Sequence, residues 1–242
     1  MSYSNTEEAT RLSTTVFYKK LIIKNSGWDY LLKFFIEKQY SSERKSGFLT
    51  ISSGHDYYEF NYIYRQPVYI WQYNFKTGTI DKVESFTTEL AEVYIDKRLG
   101  LLEARGKKTV VSKFINELHL SGKDLVIDDL EVHPKVILRY LGHNGLDFSI
   151  TRVRIRDFQI NENISGNCTL RVKGYKESLQ IIEDYYEQID CINFELNYLS
   201  NKPVNVTIYK TGRMVIGKVE DLTDKDILEE LRKIVSGVIK NV

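Results

Sequence analysis

Phe148-Ser149-Ile150-Thr151-Arg152-Val153-Arg154-Ile155-Arg156-Asp157-Phe158-Gln159-Ile160 is the stretch on which the fold turns. Apolar and polar residues alternate through it. Period-two alternation over this length predicts a strand with one buried and one wet face. Gly166–Lys173 alternates in the same way after the polar Asn161–Ser165 turn, and reads as its antiparallel partner. Such pairing sets Arg171 and Lys173 on the face that already carries Arg152, Arg154 and Arg156.

Working toward the C-terminus, Leu179, Ile182, Tyr186 and Ile189 form one stripe of a helix over Tyr175–Ile189. Three short strands follow at Phe194–Leu199, Val204–Lys210 and Arg213–Val219, with turns at Ser200-Asn201-Lys202 and Thr211-Gly212. A last helix opens at Thr223, with Asp226 completing a box-like cap. Its apolar face is Ile227, Leu228, Leu231, Ile234, Val235 and Val238.

Toward the N-terminus the aromatics dominate. Tyr58, Phe60, Tyr62 and Tyr64 alternate along one predicted strand, and Tyr69, Trp71, Tyr73 and Phe75 along the next. Arg65-Gln66-Pro67 reads as the hairpin turn between them, and Lys76-Thr77-Gly78 as the turn after. The expected place for these rings is a core against the Trp28–Lys38 helix; stacking on exposed bases is the alternative. Strands are also expected at Val16–Lys24, Gly47–Ser52, Val93–Asp96 and Leu99–Arg105, and a short apolar run at Leu125–Ile127. Helices are expected from Gly106 to about His119 and over His133–Leu141, with Pro134 in the first turn of the latter. The two segments Leu101–Lys108 and Thr169–Lys176 both run strand, basic residue, Gly, any residue, Lys, helix, which suggests duplicated β-α units.

The expected fold is therefore α+β: two antiparallel sheet-plus-helix units. We place a polar tail at 1–14, an N-terminal domain at 15–145 and a C-terminal domain at 146–242.

Composition narrows the function. The chain has 242 residues and a formal charge of +1, from 34 Lys and Arg against 33 Asp and Glu. A nucleic-acid site must therefore be a local basic patch. No apolar run approaches the ~18 residues of a membrane span. The segment Met1–Arg11 is polar and lacks the apolar centre of a secretion signal, and two cysteines, Cys168 and Cys191, suit a reducing cytoplasm. His55, His119, His133 and His143 have no metal-ligand spacing. Gly-rich phosphate loops, metalloprotease pairs and nucleophile elbows are absent, so no catalytic residue, metal or cofactor is assigned. Asp96, Glu103-Ala104-Arg105, Asp128, Asp129 and Glu131 would serve a metal-dependent nuclease only if they converged.

The Val206-Thr207-Ile208-Tyr209-Lys210-Thr211-Gly212-Arg213-Met214-Val215-Ile216 hairpin, with Phe194-Glu195-Leu196-Asn197-Tyr198 before it, resembles one repeat of the TATA-binding-protein-like fold. Pro203 ahead of the second strand and the closing helix at Thr223 fit the same pattern, clearest over about 148–242. After Ile216 the family continues Thr-Gly-small-Lys, whereas this chain has Gly217-Lys218-Val219. The resemblance implies that Phe194 and Tyr209 wedge between base steps, with Lys210 and Arg213 on phosphates. Arg152, Arg154, Arg156, Arg171 and Lys173 form a row able to neutralise several phosphates. The other reading of that row is a solvated face paired with Asp or Glu from elsewhere in the chain. The expected function is non-enzymatic binding of nucleic acid, duplex DNA favoured. A protein-interaction scaffold is the alternative and a metal-dependent nuclease the third.

Overall fold

A computed structural model describes residues 13–24, 27–122, 124–197, 203–217 and 224–240. Among them are five α-helices and eleven strands, and the architecture is α+β as expected. The registered pairs β2–β3, β3–β4, β4–β5, β7–β8, β7–β9, β9–β10 and β10–β11 all run antiparallel, with ranges given below. The chain divides into two compact units, one over Phe17–Asp128 and one over Asp129–Val242 together with the residues up to Val16. No described helix is long and apolar enough to cross a membrane.

The Phe17–Asp128 unit contains β1 (Ser13–Ile23) from Phe17 onward, α1 (Gly27–Glu37), β2 (Ser46–Ser53), β3 (Tyr57–Asn74), β4 (Thr79–Asp96), β5 (Leu101–Gly106), α2 (Lys108–His119) and β6 (Leu125–Asp129). Its strands follow the order β2-β3-β4-β5. The core is aromatic. Phe35 of α1 lies 4.4 Å from Phe60 and 4.9 Å from Phe48 between ring centroids, and Phe114 of α2 lies 5.5 Å from Tyr62. These tilted contacts suit the ring quadrupoles. Two of the buried phenols make hydrogen bonds: Tyr58 donates to the Trp28 carbonyl at 2.9 Å, and Tyr62 to Glu117 Oε2 at 2.7 Å. Gly106 ends β5 at φ +155°, where a Cβ would sit 2.9 Å from the Leu90 carbonyl oxygen. Only glycine allows the strand to turn into α2 at that distance.

The expected hairpin turn at Arg65-Gln66-Pro67 does not exist. β3 runs straight through it for 18 residues and pairs residue by residue with β4, from Tyr57↔Asp96 to Asn74↔Thr79. The reversal comes at Phe75–Gly78, where Gly78 takes φ +70°. Pro67 is tolerated because β2 has ended by Tyr64, so that edge of β3 is open and a missing N–H breaks no ladder there.

The second unit holds α3 (Pro134–His143), β7 (Phe148–Asn161), β8 (Ile164–Arg171), α4 (Tyr175–Asp184), β9 (Ile189–Leu196), β10 (Val204–Tyr209), β11 (Arg213–Gly217) and α5 (Asp224–Lys240). The sheet order is β11-β10-β9-β7-β8. One face is buried: Ile150, Val153, Ile155, Ile192, Phe194, Leu196, Val206, Ile208 and Met214 lie with Ile137, Leu141, Ile182, Leu231 and Ile234 of the helices. The helix expected over Tyr175–Ile189 ends at Asp184. A 3-10 turn at Tyr186–Gln188 follows, and Ile189 already belongs to β9. The strand expected from Phe194 therefore starts five residues earlier. The Thr223 cap, the Ser200–Lys202 turn, Tyr198, Lys218 and Val219 lie outside the described residues, as does the predicted tail apart from Ser13 and Thr14, which open β1.

Candidate nucleic-acid interface

The face of the second sheet opposite its helices is built by simple alternation. In β7, Val153 and Ile155 are buried, and Arg152, Arg154 and Arg156 are exposed. In antiparallel strands directly opposed residues share a face. Arg152 stands opposite Arg171 of β8 and Asn193 of β9; Arg154 stands opposite Thr169 and Cys191; Cys191 stands opposite Tyr209 of β10. The sheet thus brings Arg152, Arg154, Arg156 and Arg171 together, with Tyr209 two strands away. Arg213 reaches them from β11, its guanidinium carbon 3.6 Å from the centroid of the Tyr209 ring. Lys173 is exposed but lies past the end of β8.

Asp190 changes the charge of this face. The register of β7 with β9 slips between Arg154↔Cys191 and Ile155↔Ile189, leaving Asp190 as an extra residue. A bulge of this kind re-aims a side chain. Here the carboxylate, 7% exposed, meets Arg154 Nε at 3.6 Å and binds the Arg156 guanidinium. The pairing foreseen as the alternative reading holds for these two arginines. It does not extend to the others: among the described residues no carboxylate pairs with Arg152 or Arg171. Beside them runs a neutral ladder, in which Thr151 bonds Asn193 Oδ1 and Asn193 Nδ2 donates to Thr207 Oγ1 at 2.7 Å.

Cys191 sits at the centre of the cations. Burial raises its thiol pKa first and the Asp190 charge second, while Arg154, Arg213 and Arg156 pull it down by less. The net effect is a thiol pKa above its ordinary value, which favours the protonated form.

Phe194 has no exposed surface. It faces Ile150 and Val206 on the helix side of the sheet, so it cannot meet a base. The alternation that places Arg152 outward places Phe194 inward, and the resemblance-based role fails on that parity. Lys210 is half-buried, with its N–H donating to the Asp190 carbonyl at 2.9 Å.

The nuclease carboxylates do not assemble. Asp96 accepts bonds from the Arg98 and Leu99 amides at 2.9 and 3.0 Å and so closes the β4–β5 turn. Among the described residues no three His, Cys, Asp or Glu side chains come close enough to hold a metal ion.

Of the two aromatic rows, Tyr58, Phe60 and Tyr62 are core as expected, but Tyr69, Trp71, Tyr73 and Phe75 stand in solvent. Sequence reasoning also missed Asp190. It lies 36 positions from Arg154 in the chain, and only the bulge joins them. No known protein-family model matches the chain, and no curated protein matches it.

Proposed function

We propose that this protein is a non-enzymatic nucleic-acid-binding protein that holds the phosphates of duplex DNA on the exposed face of the β8-β7-β9-β10-β11 sheet. The observation that carries the reading is the Arg152–Arg171 pair. Like charges directly opposite in a sheet are destabilising, yet these two are exposed, in register and, among the described residues, without a carboxylate partner. A bridging anion relieves that repulsion. Arg154, Arg156, Lys173 and Arg213 extend the positive field, weakened by Asp190. The likeness of residues 148–242 to a TATA-binding-protein-like repeat belongs to the same proposal, and the β9-β10-β11 meander followed by α5 agrees with it. With Phe194 in the core, the reading assigns phosphate contacts rather than wedges between bases, hence little sequence preference. Both cysteines are free thiols, which supports an intracellular setting.

The test is fluorescence anisotropy with labelled duplex and single-stranded DNA across about 50–200 mM salt. About four phosphate contacts give a logarithmic slope near −4, roughly a 150-fold loss of affinity over that range. Arg152→Glu with Arg171→Glu should flatten the slope by about two. An absence of binding at the lowest salt overturns the reading. The scaffold alternative draws its support from another region, the exposed aromatic half of the β3–β4 hairpin.

A further inference from the structure

β2 stops pairing with β3 at Tyr64, and β5 stops pairing with β4 at Ala91. Beyond those points β3 and β4 have only each other. Ten cross-strand pairs, from Arg65↔Thr88 to Asn74↔Thr79, make a two-stranded arm, which at ~3.3 Å per residue is about 33 Å long. A two-stranded ribbon is marginal by itself in water. This one nevertheless exposes large apolar side chains. Tyr69, Trp71, Tyr73 and Ile80 share one face; Trp71 is 71% exposed, and Phe75 at the tip 90%. A contiguous patch of that kind marks a contact surface.

We propose that two copies of this chain associate through the arm, aromatic face against aromatic face about a two-fold axis. Charge argues for a second copy. The arm carries Arg65, Lys76 and Lys82 against Asp81 and Glu84, a mixed pattern with an excess of a single positive charge, so it neither strongly repels its like nor draws phosphate as the arginine row does. Two of its cations already lie over its own rings, Arg65 at 4.5 Å from Phe86 and Lys82 at 4.3 Å from Tyr69.

The pattern is also self-complementary. Trp71↔Lys82 and Tyr69↔Glu84 are pairs on the aromatic face, so Lys82 and Glu84 sit two residues apart on that face. A two-fold axis between them sets each against its opposite in the other copy, as an isologous interface requires. The area suffices too. At ~150–250 Å² per large aromatic side chain, the exposed fractions leave on the order of 600–700 Å² of side-chain surface on each arm. Two arms bury about 1,300 Å², within the ~1,200–2,000 Å² of specific interfaces.

None of the basic-face residues takes part, so this inference and the nucleic-acid reading can fail separately. The experiment is sedimentation equilibrium of the full chain from about 1 to 100 μM, where an interface of this size is expected to dissociate. The expected result is a monomer–dimer equilibrium. Lys82→Glu alone and Glu84→Lys alone should each weaken it about tenfold, because every swap sets like charges together twice. The double variant should recover the wild-type constant, since the two-fold pairing is restored. In a Trp28→Phe variant, Trp71 emission should shift to the blue as concentration rises. Far-UV circular dichroism of each variant confirms that the arm still folds. A monomer throughout, open-ended growth in mass, or a double variant no better than the singles overturns the proposal.

Discussion

The β3–β4 hairpin carries one sequence habit to two different ends. Near its base, Tyr58, Phe60 and Tyr62 alternate with polar residues and are buried to within 2% of their surface. Further along the same strand Tyr69, Trp71 and Tyr73 alternate in the same way and stand in water. The backbone is one unbroken ladder through both. What differs is the face: on a ladder without a bulge the even-numbered Tyr58, Phe60 and Tyr62 point to the side where α1 and α2 bring Phe35 and Phe114, and the odd-numbered Tyr69, Trp71 and Tyr73 point to the opposite side. An aromatic row therefore announces a strand and an apolar face. It does not say which face of the sheet the row takes, because a change of one residue in its phase moves it to the other side.

The largest expected effect separates the halves by stability. Phe60→Ala removes a fully buried ring in contact with Phe35, Phe48 and Phe114. The loss should be about 3–5 kcal/mol in urea unfolding, since transfer and cavity contributions add. Trp71→Ala, measured on the monomer, should move stability by less than about 1 kcal/mol. Comparable losses for the two would mean that the far half is buried within the monomer.

Legibility follows the same division. Arg152, Arg154 and Arg156 are readable as one face because Val153 and Ile155 between them are buried, and a single buried face imposes period two. The strand over Thr79–Glu92 escapes sequence reading for the opposite reason. Asp81, Lys82, Glu84, Thr87, Thr88 and Glu89 show no such period: between Ile80 and Phe86 the face that Tyr69, Trp71 and Tyr73 line from β3 carries Lys82 and Glu84. Arg65-Gln66-Pro67 looks like a turn on its residues alone; only the end of β2 at Tyr64 makes Pro67 acceptable in a strand. At the candidate site, parity gives the arginines. It also puts Phe194 inside once the register is known. The Asp190 bulge is a long-range event that no local pattern encodes.

An alkaline titration sharpens the contrast from the buried side. Burial is the main cause raising the pKa of both the Tyr58 and Tyr62 phenols; the Asp29 charge adds to it for Tyr58, and the Glu117 hydrogen bond for Tyr62. The folded state keeps these protons after the unfolded chain has released its own near pH 10. Their contribution is complete below that pH and falls above it, by up to about 1.4 kcal/mol per pH unit for each phenol. Tyr62→Phe should lower neutral stability by about 1 kcal/mol, the lost bond to Glu117, and make the decline above pH 10 shallower. An unchanged slope would show that Tyr62 meets solvent.

The smallest effect on the whole protein is the most local. Gly78 closes the arm at φ +70°, where an added Cβ meets nothing closer than the Tyr73 hydroxyl at 3.9 Å. Gly78→Ala is therefore strained by its backbone and not by crowding, at about 1–2 kcal/mol. The arm joins the core through the continuing ladder and through contacts at its base, Arg65 with Ser42 and Lys45 and Glu89 with Lys107, so the strain should reach the amides of residues 66–88 and stop near Tyr64 and Ala91. At protein concentrations low enough to keep the arm unpaired, hydrogen exchange there should quicken about tenfold, while amides near Phe60 and Val93 keep the protection of global unfolding. The melting midpoint should stay where it was. If protection near Phe60 falls along with the arm's, β3 and β4 open as one cooperative unit, and the boundary at the end of β2 divides cover alone and not stability.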